Sequence, residues 1–132
     1  RQAVDEGRAW RIGHGTRLLE DEELLAQVRD AGIALEVCQT SNVQTRVAAT
    51  HADHPLKHYY DEGVTVCIGT DNRLMSGVTL TEEYEHARDD LRFTETELLR
   101  VARMGFESAY VGADAKTELL ADFDGRVEVL TG

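Results

Sequence analysis

Short apolar runs alternate with stretches of helical spacing along the first half of this 132-residue chain. Residues 9–13 (A-W-R-I-G) make a mostly apolar run that Gly-His-Gly stops abruptly, which predicts a first strand. Asp21 can cap a helix running through Ala31, because Leu24, Leu25 and Val28 recur at helical spacing beside Leu18 and Gly32 follows as a stop. Residues 33–38 (I-A-L-E-V-C) predict a second strand. After a polar turn, Pro55 sits where a first helical residue is tolerated, and Leu56, Tyr59 and Tyr60 form an apolar stripe ahead of Gly63. Residues 64–68 (V-T-V-C-I) predict a third strand, β-branched and nearly all apolar, as in a parallel sheet covered on both faces.

The second half reads as helices. Thr79 or Thr81 can cap one through about Leu91, and Thr94 with Glu97 forms a capping box ahead of Leu98, Leu99, Val101, Ala102 and Phe106. A last helix is expected from about Asp114 to Phe123, stopping at Asp124-Gly125 before a short tail at 127–130. Strand, helix, strand, helix, strand and then helices predicts an α/β chain of parallel β-α units. Three parallel strands alone leave both sheet edges unpaired, so the pattern is that of a partial (β/α)8 barrel, with residues 1–132 as the C-terminal portion of one incomplete barrel domain.

Composition narrows the partners. With 14 Lys and Arg against 25 Asp and Glu, the net charge of −11 excludes an electrostatic nucleic-acid binder and opposes anionic lipid. A neutral small molecule meets no such repulsion. The chain is 42% hydrophobic and 30% charged, a globular balance. No run of about 18 apolar residues or signal-peptide core occurs, so no membrane partner and a cytoplasmic location are the expectation. Cys38 and Cys67 stand in separate apolar runs, as buried thiols rather than as a metal or disulfide framework. Nothing in the sequence fixes an oligomeric state.

In barrels and open α/β sheets, chemistry collects past the C-terminal ends of the strands. The three ends read R-I-G-H-G, C-Q-T-S-N and G-T-D-N-R. His14, flanked by glycines, is open to a ligand or simply bonds its own loop. Asp71 projects from an apolar floor and needs a cation, Arg73 or backbone N–H groups as partner. Asn72 can read a heterocycle edge or cap a turn. His51, His54 and His58 read as a solvated loop with one helix-start histidine, since His54 precedes Pro55. Glu82, Glu83, Glu85, Asp89 and Asp90, interleaved with His86, Arg88 and Arg92, read as a solvated helix face. Met75 and Met104 read as gap fillers.

R-I-G-H-G at 11–15, L-E-V-C-Q-T-S-N-V-Q-T at 35–45, H-P at 54–55 and T-D-N-R-L-M-S-G at 70–77 together resemble the adenosine deaminase family, bacterial members above all. The resemblance implies a metal-dependent barrel of the amidohydrolase type, in which these strands are the sixth to eighth. It implies hydrolytic conversion of adenosine or deoxyadenosine to inosine or deoxyinosine and ammonia, with one Zn2+ per complete site and a purine nucleoside as partner. His14 would then orient and polarise the zinc-bound hydroxide that attacks C6, and Asp71 would ligate zinc and hold or accept the water proton. Asn72, where many relatives carry a second Asp, would hydrogen-bond N7 of the purine, and Ser41 and Asn42 would support the site from behind.

The family's H-x-H metal pair, a further metal histidine and the glutamate of H-A-G-E do not occur in these residues, and the expectation is that they lie upstream of Arg1. On that expectation, the isolated chain binds no zinc tightly and turns nothing over, activity belonging to the complete barrel. Gln39 stands where a Pro is common in the family and Gly69 where an Asn is common. Two alternatives go with the resemblance: deamination of another 6-aminopurine, such as adenine or an aminofutalosine-type nucleoside, and a non-catalytic half-barrel acting as an interaction module. The latter predicts a Met start and an edge strand blunted by charge or Pro.

Overall fold

A computed structural model describes residues Arg1–Gly132. The predicted strands form, β1 and β3 shortened at their starts and β2 at both ends: β1 (Arg11–Gly13), β2 (Ala34–Val37) and β3 (Val66–Ile68), parallel and in the order β1-β2-β3. Ile12 lies beside Leu35 and Leu35 beside Val66, so one register line carries three apolar side chains across the sheet. A four-residue helix, α1 (Gln2–Asp5), precedes β1.

The crossovers follow the predicted signals. α2 (Glu22–Asp30) starts where the Asp21 carboxylate accepts the Leu24 N–H at 3.0 Å, and Gly32 turns the chain out of it at a φ of 65°. α4 (Leu56–Asp61) opens behind Pro55. Leu25 and Val28 of α2 and Leu56 and Tyr59 of α4 pack with Leu35, Val37 and Val66 into one core. Between β2 and α4, where a polar turn is expected, the chain instead forms α3 (Gln39–Gln44) and a 3-10 turn at His51–Asp53.

Beyond β3, a single turn, α5 (Arg73–Ser76), leads to α6 (Leu80–Asp89) and α7 (Glu95–Glu107). Thr79 and Thr94 each close a complete capping box, with Glu82 and Glu97 respectively. Ala87 and Val101 carry these helices into the same core. Met104 packs against it, whereas Met75 is 80% exposed on α5 and fills no gap.

The last helix departs from expectation. α8 (Ala113–Thr131) passes straight through Asp124 and Gly125. Asp124 there serves as an anchor, accepting from both Nε and Nη2 of Arg103 at 2.9 and 3.0 Å, and Phe123 lies 5.1 Å from Phe106 between ring centres. These tertiary ties override a local stop signal whose cost in a helix is only about 1 kcal/mol. No helix of the structure is long and apolar enough to cross a membrane.

Candidate active site

All three strand ends meet in one place. At the end of β1 the His14 N–H still donates to the Glu36 carbonyl at 2.8 Å, and the chain then turns at φ values of 60° and 66° on His14 and Gly15. A Cβ on Gly15 would sit 2.9 Å from Leu35 Cδ2, so the residue after His14 is glycine for space as well as conformation. At the end of β3, Asp71 also adopts a left-handed φ, of 53°. Non-glycine residues are uncommon there, and such geometry gathers at functional sites.

The two side chains face each other across β2, with His14 Nε2 3.9 Å from Asp71 Oδ2. Ser41, in the first turn of α3, donates its hydroxyl to Asp71 Oδ2 at 2.7 Å, and the Asn72 N–H donates to Oδ1 at 2.8 Å. The Ser41 hydroxyl first, the Asn72 amide second and the nearby His14 imidazole hold the Asp71 carboxyl below the usual carboxylate range. The partners are thus a hydroxyl and one backbone N–H; Arg73 is not among them. Asp71 keeps 41% of its side chain exposed, and each oxygen retains a lone pair.

Asn42, also on α3, bridges two histidines. Its Nδ2 lies 3.0 Å from His14 Nδ1, and its Oδ1 lies 3.0 Å from His54 Nε2. His54 is no solvated loop residue: it is 3% exposed, and its Nδ1 accepts the Leu56 N–H at 3.1 Å. Burial pushes its pKa down to about 4, helped by the neighbouring His51 and His14. The signal for it lay in the H-P pair, where a histidine ahead of a helix-starting proline can fold back onto the first free N–H.

Glu83 also departs from expectation. It is fully buried rather than part of a solvated face, and its two carboxylate oxygens accept the Gln39 and Thr40 N–H groups at 3.0 and 3.1 Å. It therefore caps α3, the helix that carries Ser41 and Asn42, whose own N-cap residue, Cys38, contributes no side-chain cap. The Gln39 side chain returns a bond to the Glu83 carbonyl at 2.9 Å.

Asn72 is placed differently from the rest. Its Oδ1 accepts the Leu74 and Met75 N–H groups at 3.1 and 3.2 Å, which caps α5 and leaves Nδ2 free. Cys38 and Cys67 are buried, and burial raises the Cys38 thiol to about 11. A second histidine cluster, His51, His86 and Asp90, brings its ligand atoms within 4.8 Å of one another. Its two rings stack at 3.7 Å and 7° from parallel, so their in-plane lone pairs do not converge on a common point.

A parallel β/α sheet with its polar groups gathered past the strand C-termini defines an α/β protein with a candidate site at that edge of the sheet. Residues 1–125 match the family model described as adenosine deaminase, and the chain belongs to that family. It is 37% identical over 121 residues to an adenine deaminase of Sinorhizobium medicae, covering 92% of this chain and 37% of that protein. It is equally 37% identical over 119 residues to an adenosine deaminase of Pseudoalteromonas translucida, covering 90% and 36%. The crystal structure of an adenine deaminase from Arthrobacter aurescens superposes with a TM-score of 0.90 at 28% identity, over 96% of this chain and 39% of that one. An amidohydrolase from Burkholderia ambifaria with bound Zn shares the fold at a TM-score of 0.88 and 24% identity, over 98% and 36%. The chain thus spans a little over a third of the length of the curated relatives it matches.

Proposed function

We propose that these residues form one side of the active site of a zinc-dependent hydrolytic deaminase of 6-aminopurines, acting on adenosine or deoxyadenosine. The observation that carries this reading is the convergence of His14, Ser41, Asn42 and Asp71 on one strand-end cluster, in a chain of this family.

The donor set fits a metal on one side. Asp71 is a carboxylate with its pKa held low, half open, and oriented by two donors that leave lone pairs for a cation. One carboxylate does not select zinc, so the remaining ligands come from outside these residues. Zinc, when bound, supplies a water activated at neutral pH and polarises the reacting centre.

The chain's own residues do the rest. Asp71 orients the cation and accepts a proton at its free lone pair, while Ser41 keeps the carboxylate from turning away. His14 presents Nε2 beside Asp71, where an N–H stabilises negative charge on the attacking oxygen. Asn72 has its Oδ1 occupied, so the group it offers a ligand is the Nδ2 donor, the partner a purine ring nitrogen such as N7 needs. An aspartate at 72 would offer such a nitrogen a donor only when protonated.

Adenine is the second reading, favoured by the adenine deaminases among the relatives. The test is ammonia release by the complete gene product from adenosine, deoxyadenosine, adenine and 6-amino-6-deoxyfutalosine. Turnover of the two nucleosides with the highest kcat/KM is expected. Preference for adenine would move the assignment to the second reading, and no turnover of any of the four would reject a deaminase.

A further inference from the structure

One backbone N–H fixes every proton in the chain of contacts behind His14. The Leu56 amide can only donate, so His54 Nδ1, 3.1 Å away, is an acceptor without a proton. A neutral His54 then carries its proton on Nε2, and the atom of Asn42 facing it at 3.0 Å must be the carbonyl oxygen. That leaves the Asn42 NH2 group facing His14 Nδ1 at 3.0 Å, so this nitrogen is also an acceptor and the His14 proton sits on Nε2, the nitrogen turned toward Asp71. Reversing His54 or Asn42 sets two donors or two acceptors against each other in a buried place, and reversing His14 does so in a part-buried one.

We infer that His54 and Asn42 are positioning residues that lock His14 in its Nε2–H tautomer, so that it meets the reacting atoms as a hydrogen-bond donor and not as a base. His54 is suited to this by its burial at 3% exposure and by a pKa near 4, which keep it neutral and its proton on one nitrogen. Asn42 is suited by having a donor and an acceptor on one planar group, which no carboxylate offers. His14 itself is 44% exposed and has no other hydrogen-bond partner to choose its tautomer. The catalytic consequence rests on the function proposed above; the position of the proton does not.

The test is a long-range 1H–15N correlation spectrum of the zinc-loaded complete gene product with labelled histidine, His14 being assigned by loss of its signals in His14→Gln. The expected wild-type spectrum shows an unprotonated, imine-type Nδ1 and a protonated, pyrrole-type Nε2 on His14. In Asn42→Asp a carboxylate accepts from both rings, so Nδ1 of His14 becomes protonated while the shape is kept. With it kcat falls about 10- to 100-fold at unchanged KM, the usual size of a supporting-residue effect. A protonated Nδ1 in the wild type, or a His14 spectrum unchanged by Asn42→Asp, overturns the inference. Should Asn42→Asp fail to fold, the wild-type spectrum decides alone. Absence of aminopurine turnover in the wild type would instead count against the proposed function, and the spectrum would still decide the tautomer.

Discussion

His54 shows how far one residue's environment changes its meaning. A histidine ahead of a proline in a polar stretch has the sequence of a surface loop, yet its ring is enclosed and bonded at both nitrogens. Its folded pKa lies well below the ordinary 6.5, so its contribution to stability is fully present above about pH 6.5 and is lost as pH falls through about 4. Chemical denaturation of the complete gene product between pH 7 and 4 should show a steeper loss of stability for the wild type than for His54→Gln. Parallel profiles would contradict the buried neutral imidazole. The meeting of His14 and Asp71 at the strand ends was legible because each follows an apolar run and a glycine, a strand-end signal. Glu83 was not, since a buried glutamate in an acidic, helix-spaced stretch differs from its solvated neighbours only by what packs on it.

Among the elements, those with a strong local signal were legible: the three strands, α2 with its Asp21 cap, and the capping boxes of α6 and α7. α3 was hidden because Q-T-S-N-V-Q has no apolar stripe, and its start is held by a carboxylate 44 residues away. α8 was cut short in the sequence because a glycine weakens a helix locally, while the Arg103 fork that carries the helix past it is a tertiary contact. The cap on α3 makes a direct prediction. Glu83→Gln keeps the shape but turns an NH2 group toward one of the two backbone donors, of Gln39 or Thr40, and should destabilise the protein by about 1–3 kcal/mol, read as a lowered urea midpoint. An unchanged midpoint would mean that α3 does not depend on Glu83.

At the scale of the whole molecule, three parallel strands bring one carboxylate, one imidazole and their supports to a single edge, which under the proposed function is one side of a metal site. Surface charge fits this: a net −11 disfavours polyanions and leaves an uncharged aminopurine free to approach. The central claim is that Asp71 holds the metal that makes this site work. Zinc content and adenosine turnover of the complete gene product, measured side by side for the wild type and Asp71→Ala, test it most directly. The wild type should hold one zinc per chain and release ammonia, and Asp71→Ala should lose turnover together with bound zinc. Full turnover with full zinc occupancy in Asp71→Ala would contradict it.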